Sequence, residues 1–212
     1  MKNIFNLLIF TLLITAFACE SNADSTTETE EETTETTEEA PQEEAVQTGD
    51  VIMNGDNYSI TMMEAGIKSP RKEMKAQIGD ATVTINYGSP SVRGRTIFGG
   101  LEDFDVLWRT GANKATSIEF SQDVMIGDQK VAAGKYGLFT IPGKEDWTVV
   151  INQDHEQWGA GSYTEDKDVA RITVSPRMLD ELKEEMDFVM AGDAIELQWE
   201  NTAVPFTVQP AS

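Results

Sequence analysis

Short runs of alternating apolar and polar residues, separated by glycine- or proline-containing turns, recur from Tyr58 to Val208. A period of two puts every other side chain on one face of an extended strand. The cleanest run is Ile195-Glu196-Leu197-Gln198-Trp199-Glu200, with its apolar residues on one face and its polar residues on the other. Ala81, Val83, Ile85 and Tyr87 alternate in the same way with Thr82, Thr84 and Asn86. Further strands are expected at Tyr58–Met62, Ser117–Phe120, Val131–Ile141, Trp147–Asn152, Val169–Val174, Met186–Met190 and Val204–Val208. Gly79-Asp80, Gly127-Asp128, Pro142-Gly143 and Gly192-Asp193 supply the turns. Short strands at this spacing, each with one wet face, predict an all-β fold rather than βαβ units. The expected architecture is an antiparallel β-sandwich or jelly-roll-like barrel with one long irregular loop and at most one short helix. That helix would be Pro176–Glu185, capped by Ser175. The inward set is Val83, Ile85, Ile118, Phe120, Val149, Ile151, Ile172, Val174, Ile195, Leu197 and Trp199.

The N-terminus reads as an address. Lys2, an apolar run from Ile4 to Phe17 and the small residue Ala18 have the layout of a signal peptide, residues 1–18. The run is shorter than the ~20 residues that a spanning helix needs. Cys19, the one cysteine of the chain, follows at the cleavage position. Ala16-Phe17-Ala18 fits ordinary signal cleavage, which would leave a free thiol and a soluble secreted protein. Ala16-Phe17-Ala18-Cys19 also resembles a bacterial lipobox, although Ala16 and Phe17 depart from its usual residues. A lone thiol in an oxidising compartment invites mispairing, whereas an acylated cysteine accounts for both its number and its place. The expectation is therefore lipidation at Cys19 and a protein held on the membrane of the bacterial cell envelope, facing the periplasm or the exterior.

Residues 19–50 form an acidic tether in this reading. Residues 20–50 hold twelve carboxylates and neither Lys nor Arg, and Ser25–Ala40 is almost wholly Thr and Glu. Such a segment cannot bury enough apolar surface to offset its ordering entropy, so it is expected to be disordered. As a coil it would span on the order of 30 Å, more with charge repulsion. Setting aside those twelve of the 37 acidic residues, and Lys2 of the 16 basic ones, leaves 25 against 15 in residues 51–212, a net of −10. A domain this acidic argues against nucleic acid, which demands clustered basic side chains, and equally against anionic lipid. Residues 51–212 suit one domain.

Gly88–Ala115 is the long irregular stretch. Insertions of this length in compact domains tend to be functional loops or packed covers. Several segments carry a resemblance: Ser69-Pro70-Arg71, Tyr87-Gly88-Ser89-Pro90, Arg93-Gly94-Arg95, Trp108-Arg109-Thr110-Gly111-Ala112-Asn113, Ala133-Gly134-Lys135-Tyr136-Gly137-Leu138-Phe139 and Gln157-Trp158-Gly159. In this order they resemble the bacterial family catalogued as domain of unknown function 2911, from about Ser69 to Val208. The resemblance implies a Gram-negative protein behind a signal peptide. That family carries no established activity, so it transfers no catalytic residues.

The candidate chemistry is narrow. One histidine and one cysteine cannot assemble a His- or Cys-based metal site, so no metal and no cofactor are expected. His155, in the polar run Asn152–Gln157, reads as a solvated loop residue rather than a catalytic base. Arg93, Arg95 and Arg109, with Asn113 and nearby glycines, could grip a small anion, since guanidinium forks match carboxylate or phosphate. Alternatively they pair with Glu102, Asp103 or Asp105 and pin the loop. Trp158 and Tyr163 could stack sugar rings, or else cap the end of the core. Three function classes stay open: a tethered binding module for a glycan or small anion, a structural or protein-interaction lipoprotein, and a carboxylate-dependent hydrolase. The first is the reading adopted, without an assigned catalytic residue.

Overall fold

The structure, a computed structural model, describes residues 46–211. The expected signal peptide, Cys19 and the acidic segment up to residue 45 lie outside the described residues. Twelve strands follow in order: β1 (Val51–Asn54), β2 (Tyr58–Glu64), β3 (Arg71–Ile78), β4 (Ala81–Gly88), β5 (Thr116–Phe120), β6 (Val124–Ile126), β7 (Gln129–Val131), β8 (Gly134–Ile141), β9 (Trp147–Asn152), β10 (Asp168–Val174), β11 (Arg177–Ala191) and β12 (Ala194–Pro210). One 3-10 turn, Glu165–Lys167, precedes β10. An eight-stranded sheet has the order β1-β2-β3-β4-β5-β8-β9-β10, and a four-stranded sheet the order β11-β12-β6-β7. All pairings between these strands are antiparallel. Neither sheet closes on itself, so the fold is a sandwich and not a barrel.

Alternation builds the core as the period of two requires. Val83, Ile85, Ile118, Phe120, Val149, Ile151, Ile195, Leu197 and Trp199 are all buried between the sheets, while Ile172 and Val174 are half-buried against them. The expectation of one wet face for every strand fails. β8 and β9 do not have one wet face, because Phe139 and Val150 are buried on the outer side. With Ala115 they form a second apolar cluster, covered by Leu107, Ala160 and Tyr163. Two loops therefore lie across the outside of the large sheet.

Pro176–Glu185 is not a helix; it is taken up almost entirely by β11. From Met178 to Asp187 this strand opposes only Thr202 to Gln198 of β12, with register shifts on both sides of Lys183. Bulged residues spoil the period of two, and the spacing of Met178, Leu179 and Leu182 then imitates a helix. Pairing with the long β12 overrides that local signal.

Lys72 occupies an inward position of β3 beside Met74 and Ala76, and is 1% exposed. Its ammonium reaches Glu185 at 2.7 Å and Asp187 at 2.9 Å, tying β3 of one sheet to β11 of the other. The Tyr87 hydroxyl donates to the same Asp187 oxygen at 2.8 Å. Burial raises the Asp187 carboxyl above its ordinary range, and Lys72 pulls it back. Glu196 departs from the polar face assigned to it, being buried under hydrogen bonds from Arg177 at 2.6 and 3.0 Å and from Gln198 at 2.9 Å.

Candidate functional site

The stretch between β4 and β5 is ordered by backbone bonds to both sheets. Gly88 leads out of β4, and its carbonyl accepts from the Ala112 amide at 3.1 Å. A Cβ at Gly88 would overlap Ala112 O, so this close approach requires glycine. The Pro90 carbonyl accepts from Met186, and the Val92 amide donates to Glu184 O at 2.7 Å, adding a short rung to β11. Further along, Trp108 exchanges amide bonds with Thr140 at 2.7 and 3.0 Å, beyond the last rung of β5. Phe98 sits edge-on to Trp147, Trp108 and Trp199, with centroids at 4.7, 6.0 and 5.9 Å. The loop is thus a packed cover whose aromatic residues plug one end of the core.

Four non-glycine residues here hold positive φ: Arg93 at 51°, Asp105 at 62°, Thr110 at 55° and Asn113 at 66°. For the β-branched Thr110 this is a strained conformation. Its hydroxyl bonds the Trp108 carbonyl and lies 3.1 Å from the Thr140 hydroxyl, while its carbonyl accepts from the Thr116 hydroxyl at 2.6 Å. These contacts fix the backbone on either side of Arg109.

Arg93, Arg95 and Arg109 line one pocket of about 250 Å³, together with Lys68, Asn113, Glu102 and Trp199. None of the three arginines forms an ion pair with a carboxylate among the described residues. Arg95 donates through Nε to Val92 O at 2.9 Å and through Nη2 to Ser91 O at 2.6 Å. Arg93 donates through Nη2 to Lys68 O at 3.1 Å, and its own amide donates to the Glu184 carboxylate. Arg109 is half-buried, and its Nε is shut off from water with no partner. Each guanidinium offers five N–H donors, so most of this set is unspent. Glu102 is the pocket's one carboxylate. Burial raises its carboxyl above the ordinary range, Arg109 opposes the shift most, and Asp103 and Arg95 add smaller effects of opposite sign.

A second pocket of about 440 Å³ adjoins the first, sharing Ser69 and Asn113. Trp158, Arg71, Lys114, Lys135, His155 and Ser117 line it, with Glu64 and Glu156. Trp158 is 72% exposed, yet its backbone bridges to Lys114, and the Gly159 amide donates to Asn113 O at 3.0 Å. Arg71 spends its fork on Asn86, Lys114 and Ala115 carbonyl oxygens, which locks the end of the loop onto β4. His155 differs from the solvated residue expected: it is half-buried, and its Nδ1 is enclosed without a partner. Seven of the chain's 16 Lys and Arg residues line these two pockets, against three of its 37 Asp and Glu.

Tyr163 belongs to neither pocket. Its ring packs on Phe139 at 5.3 Å, and its hydroxyl donates to Asp168 and accepts from Arg171. Burial first, and then the Asp168 hydrogen bond, push its phenol up to about 12. The sequence pattern therefore found four residues that share a pocket (Arg93, Arg95, Arg109, Asn113), one in the neighbouring pocket (Trp158) and one in the scaffold (Tyr163). It missed Lys68, which precedes the loop by twenty residues, Ser117, which lies in β5 just after it, and Lys135, whose segment carries the family resemblance but no sign of a pocket.

The model of the family described as "Protein of unknown function (DUF2911)" matches residues 69–208. The chain belongs to this family. The match spans the loop, both pockets and all strands from β3 to β11, in agreement with the resemblance read from the sequence. No curated protein and no solved structure matches the chain. Among the described residues no group of three or more His, Cys, Asp or Glu could hold a metal ion, and no helix is long and apolar enough to cross a membrane.

Proposed function

We propose that this DUF2911 chain is an envelope lipoprotein whose β-sandwich binds a small anionic ligand in the arginine pocket. The observation that carries the reading is the buried, unpartnered Nε of Arg109 in a pocket that gathers three guanidiniums, none in an ion pair with a carboxylate. Like charges held together repel, and an anion offsets that repulsion through paired N–H bonds. The lipid anchor would be Cys19, with residues 20–50 spacing the domain from the membrane.

A loop clamp is the second reading, favoured by the carbonyl bonds of Arg93 and Arg95. The two readings differ at Arg109, which makes no such bond. Titration with inorganic phosphate at fixed ionic strength should raise the melting temperature, by about 2.7 kcal/mol of stabilisation at a hundred times the dissociation constant. Arg109→Ala should abolish that response while leaving the ligand-free melting temperature nearly unchanged. A large loss of stability with no phosphate response in either protein would make the loop a clamp. For the anchor, Cys19→Ser should move the protein from the membrane fraction to the soluble one; an unmodified N-terminal thiol in the native protein would refute lipidation.

A further inference from the structure

We propose that the arginine pocket and the Trp158 pocket are two compartments of one site for an acidic sugar, a pyranose bearing a carboxylate or phosphate. This rests on the anion reading above and extends it. Small-ligand sites usually occupy roughly 300–1,000 Å³. The arginine compartment alone, about 250 Å³, falls below that range, and its neighbour of about 440 Å³ continues it across the shared Ser69 and Asn113. A ligand whose charged end fills the first compartment has its body in the second.

The second compartment has the chemistry of a sugar platform. An indole 72% exposed is a large apolar surface left in water, and here the backbone holds it in place through the Lys114 bridge and the Gly159–Asn113 bond. The electron-rich ring face attracts polarised C–H groups such as those on the axial face of a pyranose. Around it stand hydroxyl-binding groups of both kinds: Ser117, the Lys135 ammonium, the Glu156 carboxylate and His155, whose Nδ1 is enclosed and unpartnered. One exposed aromatic face among hydrogen-bonding side chains suits a single saturated ring. A polyphosphate or nucleic acid would meet the carboxylates of Glu64 and Glu156 in this compartment.

The test is isothermal titration of the full mature chain with four probes: glucuronate, glucose 6-phosphate, inorganic phosphate and neutral glucose. At least one acidic sugar should bind about tenfold more tightly than phosphate or glucose, a factor corresponding to about 1.4 kcal/mol of stacking and hydroxyl bonding. Which of the two binds identifies the anionic group. Trp158→Ala, at an exposed position, should remove that tenfold advantage and leave phosphate binding as it was. Arg109→Ala should weaken every anionic probe. The acidic sugar should also shield Trp158 from acrylamide quenching, which phosphate alone should not do. Acidic sugars binding no better than phosphate, or an advantage that survives Trp158→Ala, would overturn the two-compartment site while sparing the anion pocket. Absence of binding by phosphate and by both acidic sugars would overturn the anion reading itself, and this one with it.

Discussion

Replacing Lys72 by Met should cost about 3 kcal/mol at pH 7, and most of that cost should disappear in mild acid. The side chain is 1% exposed and holds two carboxylates. Removing one partner of a buried pair leaves an uncompensated charge, at a cost of about 3–5 kcal/mol. The two carboxylates are not equal. Glu185 is 48% exposed and can return to water, so its share is no more than about 1 kcal/mol. Asp187 is 20% exposed and keeps only the Tyr87 hydroxyl, so the penalty centres there and sits at the lower end of the range. For a domain of this size about 3 kcal/mol lowers the melting temperature by roughly 6–12 °C. Burial already raises Asp187 above its unfolded value, and losing Lys72, the main opposing charge, raises it further. Between the unfolded pKa, near 3.9, and the higher folded value, the native state binds more protons than the unfolded one. Stability in that window therefore increases as pH falls, and it does so over a wider range in the variant. Urea denaturation of both proteins at pH 7, 6 and 5 should show the gap between them closing toward acid. A gap under about 1 kcal/mol at pH 7, or one that stays constant with pH, would refute the assignment of the cost to a stranded Asp187.

Gly88→Ala should lower stability by roughly 1–3 kcal/mol, because its Cβ overlaps Ala112 O and neither backbone can give way freely. The same change should displace Arg109–Asn113, so phosphate affinity should fall together with the melting temperature. Sulfate, which does not titrate near neutrality, should bind more tightly as pH drops from 7 to 5, since the raised Glu102 carboxyl takes up a proton more readily than an ordinary one and opposes the anion less. Glu102→Gln should remove that pH dependence and tighten sulfate binding at pH 7; calorimetry in buffers of different ionisation heat would show whether binding takes up a proton.

The sandwich was legible because most of its strands obey a period of two that turn residues punctuate. β1, β3 and β6 escaped, only Val131 of β7 fell within an expected strand, and the first half of β11 was expected to be a helix; for β3 and β11 the reason is physical. β3 carries Lys72 at a core position, so its inward series begins with a charge that only Glu185 and Asp187, more than a hundred residues away, make tolerable. β11 is bulged against β12, which destroys its alternation locally. The arginine cluster was readable from its spacing within one loop. The Trp158 pocket was only half readable: Asn113 and Trp158 meet through backbone bridges that join segments some forty residues apart, and nothing in either segment announces the other.

The position of β12 inside its sheet governs when the protein can fold. It lies between β11 and β6, pairing Val208 with Ile126 and Ile195 with Met190. β6 therefore waits, during synthesis, until roughly 80 further residues have emerged, about 4–16 s at 5–20 residues per second. Over that interval one whole wall of the sandwich is missing, and the apolar faces of β4 and β5 are open to other chains. Most pairings join strands close together in sequence, so the eight-stranded sheet can pair first, and the β12–β6 pairing completes the sandwich late. A chain whose second sheet closes only when β12 appears needs its apolar faces shielded while it waits.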